Sequence, residues 1–197
     1  MPYETLSALA LFAFVTSITP GPNNMMLLSS GANFGFIRTL PHMLGIALGF
    51  SVMVVLVGLG LMQIFDLLPA TYVVLKVVSL AYLLWLAWKI AVSGRPETAG
   101  KSASPMTFIQ AALFQWVNPK AWTMALGAIT LYAPNRDLIS VLLVGAIFGL
   151  VNFPSVSIWT VLGQQLQRFL SSPRRLQLFN WSMAFLLMAS LWPNLMN

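Results

Sequence analysis

The sequence predicts an all-α integral membrane protein. Six transmembrane helices are expected, as two inverted three-helix repeats with proline-broken helices 1 and 4. Composition carries the first part of this reading. Of 197 residues, 58% are hydrophobic and 7% charged, and mean hydropathy is +0.83, whereas soluble domains carry about 25% charged residues. Apolar runs at roughly 6–30, 41–63, 70–91, 107–132, 138–163 and 177–195 carry the second. Each is long enough for a hydrocarbon core of ~30 Å, which needs about 20 helical residues. The third observation is that the first and fourth runs are interrupted by proline at matching places.

Charge sets the expected orientation. Glu4, Asp66 and the Arg136–Asp137 pair fall on one side. Arg38, Lys89, Arg95, Lys101, Arg168, Arg174 and Arg175 fall on the other, seven basic residues against one. Positive loops stay in the cytoplasm, so loops 31–40, 92–106 and 164–176 are expected inside and both termini outside. The same rule accounts for the net charge of +6 without a nucleic-acid partner. The first basic residue is Arg38, so no charged n-region marks a cleavable signal peptide, and the first run is expected to be retained. Trp85, Trp88, Trp159 and Trp192 lie near segment ends, where an aromatic belt would sit. With no cysteine and a single histidine, a disulfide framework, a thiolate nucleophile and a cysteine metal site are excluded. No metal or cofactor is expected.

The first segment contains Thr19-Pro20-Gly21-Pro22-Asn23-Asn24. Neither proline has an N–H, and their rings clash with the carbonyls of Thr16 and Ile18. Thr19 and Gly21, each before a proline, are pushed out of the α region. Two half-helices follow, the second capped by Gly21 with Pro22 at its first position. Its free N–H groups and positive dipole end suit a carboxylate.

The second segment opens at Pro41-His42 and carries Gly45 and Gly49. This glycine pair reads as close helix packing or as a bare surface for solute passage. His42 reads as an interfacial histidine or a proton relay. In the third segment Lys76 reads as a snorkelling structural cation or a functional group, and Lys89 complements the helix C-terminus. Residues 93–106 form a polar linker rich in Gly, Pro and Ser. This linker separates a repeat at 1–92 from a repeat at 107–197.

The fourth segment carries the second break, Gln115-Trp116-Val117-Asn118-Pro119-Lys120. Pro119 frees the Gln115 carbonyl and biases Asn118 away from the helix. Lys120 then lies near mid-depth, where a lysine costs ~2.5–3.5 kcal/mol on insertion scales. It reads as a substrate-path residue or as a lysine satisfied by a partner helix's freed carbonyls. The fifth segment carries Gly145, Gly149 and Asn152-Phe153-Pro154. Pro154 is expected to kink it, and Asn152 either lines a cavity or patches that kink. The sixth segment is plain and expected to pack.

Offsets of about 100 residues pair Pro20 with Pro119, Gly45 with Gly145, Gly49 with Gly149 and Tyr82 with Trp181. Two halves of three spans must insert with opposite topology, and paired broken helices point to a transporter site at the midplane. A membrane-embedded enzyme would want convergent acids, histidines or an activated nucleophile. A non-transporting subunit or scaffold would not need two breaks and a mid-depth lysine.

At these residues the chain resembles the lysine-exporter/homoserine-resistance (LysE/RhtB) translocator family. The T-P-G-P-N signature stands as Thr19 to Asn23, followed by Gly31, Gly35, Gly45 and Gly49. K-x5-YL stands as Lys76, Tyr82 and Leu83, and N-P-K-A as Asn118 to Ala121. Leu80 departs from the family's small residue before the tyrosine, which bears on helix packing or pocket volume. Thr19–Asn24 and Leu86-Ala-Trp-Lys-Ile90 look closest to the cysteine/O-acetylserine exporter branch. The resemblance implies proton-driven export of amino acids or their derivatives from the cytoplasm across a bacterial-type inner membrane. The expected partners are that solute and the lipid bilayer, with a homodimer left open. The expected solute-binding residues are Thr19, Pro20, Gly21, Pro22, Asn23, Asn24, Gln115, Asn118, Pro119, Lys120 and Asn152. The proton-coupling candidates are Lys120, His42 and Lys76.

Overall fold

A computed structural model describes residues 1–61, 63, 67, 70–92, 104–170 and 172–189, all in helices and short connections. The helices are α1 (Tyr3–Ile18), α2 (Pro22–Phe34), α3 (Phe36–Leu56), α4 (Ala70–Ala91), α5 (Phe108–Phe114), α6 (Pro119–Tyr132), α7 (Leu138–Leu166) and α8 (Pro173–Ala189). A π-helical turn at Val57–Leu61 extends α3, and a 3-10 turn at Gln115–Val117 joins α5 to α6. Expectations for Asp66, Arg95, Lys101, Trp192 and most of the linker lie outside the described residues.

Apolar side chains cover the outside as well as the inside. Leu11, Ile37, Leu150 and Phe185 are exposed, while Leu9, Phe50, Met53 and Phe148 are fully buried. Water would penalise such an exterior and lipid does not. Phe36–Leu61, Val73–Ala91 and Leu138–Leu166 are long and apolar enough to cross a bilayer, and the bent pair α1–α2 makes a fourth candidate. At 1.5 Å per residue the 26 residues of Phe36–Leu61 span about 39 Å.

Helix α7 is the central element. It packs on α1, α2 and α3, while α3 also packs on α5, and α4 pairs with α8. Small residues permit the closest approaches. A Cβ added at Gly45 would come within 2.8 Å of Ala111 Cβ, and one at Gly49 equally close to Ala112 Cβ. Gly145 faces Val55, and Gly149 faces the Ser51 hydroxyl. The glycine pairs are therefore helix-packing surfaces, and the solute-passage reading of them is set aside.

Two further expectations change. The segment at 31–40, expected as a loop, is almost entirely helical. Gly35, at φ 78°, separates α2 from α3 by itself. That left-handed backbone is open to glycine at little cost, so one residue reverses the chain where a loop was expected. Pro41 consequently lies inside α3 rather than at its start. Helix α7 runs as one element from Leu138 to Leu166 with Pro154 inside it. Trp159 is not a belt residue: its indole N–H donates to the Ile18 carbonyl at 3.0 Å, tying α7 to the end of α1. Trp85 and Trp88 stay exposed.

The sixth segment does more than pack. Asn180 on α8 and Asn33 on α2 exchange hydrogen bonds of 3.0 and 3.3 Å, and both residues are fully buried. Asn33 also donates to the Ser29 carbonyl at 2.8 Å.

Candidate functional site at the paired helix breaks

The first break forms as its prolines require. Thr19 and Gly21 are extended, and α2 starts with Gly21 as N-cap and Pro22 at the first position. The axes of α1 and α2 differ by 59°. Gly21 has no side chain to cap the new helix, which leaves the first-turn N–H groups of Asn23 and Asn24 without a side-chain acceptor from that position.

Asn24 staples the break from within. Its amide donates to the carbonyls of Ser17 at 2.8 Å and Thr19 at 2.7 Å, and the residue is buried. The Thr16 carbonyl accepts from the Thr19 hydroxyl at 3.0 Å. The Thr16 and Ile18 carbonyls freed by the prolines therefore have partners inside the protein, Thr19 and Trp159.

The second break is built differently. Residues 115–117 tighten into a 3-10 turn, and Asn118 N–H donates to the Gln115 carbonyl at 3.3 Å. Asn118, extended as a residue before proline should be, caps α6. Its side-chain oxygen accepts from Lys120 N–H at 3.1 Å. This break satisfies most of its own backbone.

Two contacts join the breaks. Asn23 donates to Gln115 Oε1 at 2.9 Å, and Gln115 Nε2 donates back to Asn23 Oδ1 at 3.2 Å and to the Ala111 carbonyl at 2.9 Å. Lys120 crosses to the far side of the first break. Its Nζ donates to the Thr19 carbonyl at 2.6 Å, the Thr19 hydroxyl at 2.9 Å and the Pro20 carbonyl at 3.4 Å. The ammonium thus lies at the C-terminal, negative end of α1. Gly21 leaves room for it: a Cβ there would come within 2.6 Å of Lys120 Cδ.

Between these contacts lies a narrow cleft of about 20 Å³. Gly21, Asn23 and Asn24 line it from the first break, Gln115, Asn118 and Lys120 from the second, and Asn152 from α7. Phe50, Met124 and Val156 form its apolar wall. Ser17 also lines it, with a buried hydroxyl oxygen that has no hydrogen-bond partner among the described residues. Two half-helices thus present amide donors, carbonyl acceptors and one cation at a common point inside an apolar bundle.

The chain matches the LysE type translocator family over residues 14–190, which takes in both breaks, the end of α1 and all of α2 to α8. The chain belongs to the LysE type translocator family. With its apolar helices, this translocator is a multi-pass inner-membrane protein and not an enzyme. It is 34% identical over 189 residues to the cysteine/O-acetylserine efflux protein of Klebsiella pneumoniae, covering 92% of each chain. It is 31% identical over 165 residues to the protein of that name from Escherichia coli strain K12, covering 83% of this chain and 84% of the relative. No solved structure matches it.

In this LysE type translocator, Gly21, Asn23, Asn24, Gln115, Asn118, Lys120 and Asn152 share one cleft. Thr19 and Pro20 join them through Lys120, while Pro22 and Pro119 shape the two helix starts. His42 and Lys76 are elsewhere. His42 is buried, 1% exposed, and neither ring nitrogen has a partner among the described residues. Lys76 stands exposed on α4. Sequence reasoning passed over Ser17, although it is a polar residue two places before the break in an apolar run.

Proposed function

We propose that this LysE type translocator exports an amino acid or amino-acid derivative from the cytoplasm, holding it between the two helix breaks. The observation that carries this reading is the meeting of both breaks at one polar cleft, joined by the Asn23–Gln115 amide pair. Relatives of similar length named cysteine/O-acetylserine efflux proteins support a small zwitterionic solute. In this reading the solute carboxylate approaches the first turn of α2 at Asn23 and Asn24, where the dipole end is positive. Its polar groups exchange with the Gln115, Asn118 and Asn152 amides and the unpartnered Ser17 hydroxyl.

The six-span reading pairs α1–α2 with α5–α6, α3 with α7, and α4 with α8, as two inverted repeats at 1–92 and 107–197. The packing of α3 on α5 and of α1 on α7 supports it, because a two-fold relation exchanges these contacts. Both termini lie outside the cytoplasm in this reading. Alternating access rocks one repeat against the other.

Lys120 is the leading proton-coupling group in this proposal. Its ammonium leaves the Thr19 and Pro20 carbonyls as the solute loads and passes its proton to the cytoplasm, and the amine takes a new proton from outside once the solute has left, so that protons enter as solute exits. His42, outside the cleft, and exposed Lys76 rank below it.

Purified protein in liposomes tests the proposal. Saturable efflux of radiolabelled cysteine or O-acetylserine, accelerated by an imposed pH gradient, is the expected result. No flux would overturn export, and flux indifferent to the gradient would overturn proton coupling.

A further inference from the structure

The cleft as it stands has no room for an amino acid. Its 20 Å³ is about the space that a single water needs. Lys120 takes up the room between the breaks. Its stem runs over Gly21, where a Cβ would come within 2.6 Å of Lys120 Cδ and 3.2 Å of Nζ. Both residues line the cleft.

The head of that stem sits among oxygens. Lys120 Nζ donates to the Thr19 carbonyl at 2.6 Å, the Thr19 hydroxyl at 2.9 Å and the Pro20 carbonyl at 3.4 Å. The first two are as short as charge-assisted bonds should be. No carboxylate is among the described residues that line the cleft. Neutral oxygens and the negative end of α1 therefore hold this cation. A primary ammonium has three N–H donors, and three oxygens converge on it here. Every α-amino acid with a free amine carries the same head group.

The other end of a zwitterion is matched a few residues on. The first-turn N–H groups of Asn23 and Asn24 receive no side-chain cap from Gly21. The break thus sets acceptors for an ammonium and donors for a carboxylate on either side of one glycine. An α-amino acid bears those two groups on a single carbon.

We infer that the Thr19 and Pro20 oxygens are the ammonium subsite of the exported solute, and that Lys120 is its placeholder in the empty protein. The solute's primary ammonium takes the oxygens that Lys120 leaves, and the withdrawn stem makes room along Gly21. The oxygens hold one ammonium at a time, so solute entry and Lys120 departure are a single event. While the protein is empty, the lysine keeps the three oxygens converged for the next solute. The inference rests on the export reading for the identity of the solute.

Competition for radiolabelled L-cysteine bound to the full-length protein in lipid nanodiscs, under reductant, tests it. The chain has no cysteine, so the probe forms no mixed disulfide with it. O-acetyl-L-serine, which keeps the ammonium, should compete. 3-Mercaptopropionate, which is cysteine without its ammonium, should compete at least tenfold less well, and so should N-acetyl-L-cysteine. Thr19→Val removes one oxygen of the subsite and should weaken cysteine binding at least tenfold. Thr19→Ser, which keeps the hydroxyl, should recover most of that loss. 3-Mercaptopropionate competing as well as O-acetylserine would overturn the inference and keep the cleft as the solute site. So would parental cysteine affinity in Thr19→Val. No saturable cysteine binding in the parent would overturn the export reading and the subsite together.

Discussion

Asn23 and Gln115, 92 residues apart, exchange two hydrogen bonds of 2.9 and 3.2 Å across the junction of two broken helices. A reciprocal amide pair fixes both side-chain orientations at once. Asn23 belongs to the first turn of α2 and Gln115 to the 3-10 turn before α6, so the pair couples the two breaks directly.

The first prediction concerns this pair. Asn23→Leu or Gln115→Leu should reduce export at least tenfold, and each should destabilise the protein by about 0.6–1.7 kcal/mol, the range for interhelical polar pairs in membranes. The exchange Asn23→Gln with Gln115→Asn keeps the summed side-chain length and should restore part of the flux. Proteoliposome efflux with thermal unfolding in detergent checks this. Parental flux in either single variant would show that the pair only packs.

Lys120 gives a second prediction. Lys120→Arg keeps a fixed charge that effectively cannot deprotonate, so binding should survive in part while the response to a pH gradient disappears. Lys120→Ala should lose both and still insert, because a buried charge is removed. Gly21→Ala should displace the lysine stem from its groove and lower export in the parent. In a Lys120→Ala background the same change should have no further effect. Additive losses in the double variant would place the two residues in separate roles.

The Asn33–Asn180 pair predicts that α8 is held to α2 by polar contact as well as by packing. Asn180→Leu should lower stability by about 0.6–1.7 kcal/mol without changing the affinity for solute, since neither residue lines the cleft. A measured unfolding midpoint identical to the parent would exclude an energetic role for the pair.

Asp137 supplies a pH prediction outside the membrane spans. Its carboxylate accepts from Ser140 N–H at 2.9 Å and caps α7. The Ser140 backbone hydrogen bond, above all, holds its carboxyl below the usual aspartate value. A depressed value means that the cap's contribution is complete above the unfolded-state pKa, ~3.9, and is lost as pH falls through the lower folded value. The protection of the first-turn amides of α7, relative to their intrinsic exchange rates, should therefore fall below about pH 4. In Asp137→Asn that acid response should vanish while capping persists. An unchanged acid response in Asp137→Asn would assign it to another group.

Orientation is checked by single cysteines in the native cysteine-free background. Ser104→Cys should be shielded from an impermeant thiol reagent in intact cells, and Asn135→Cys should be labelled. Both positions are exposed. Labelling of Ser104→Cys from outside would reverse the assigned topology.

The chain by itself determined the membrane class, the helix breaks and the order of the helices. These follow from local causes: apolar length against bilayer thickness, and prolines that remove donors and displace the residue before them. Gly21, Pro22, Asn118 and Pro119 take the roles that their local chemistry dictates. The tertiary structure decided which groups meet. Whether Lys120 faces a solute or a carbonyl depends on where α1 ends in space, and no local rule brings Thr19 to within 2.6 Å of it. The same holds for Asn23 with Gln115 and Asn33 with Asn180, whose partners lie 92 and 147 residues away. Burial likewise emerged only from packing. His42 stands near the end of an apolar segment in the sequence, and only the packing around α3 encloses its ring in protein.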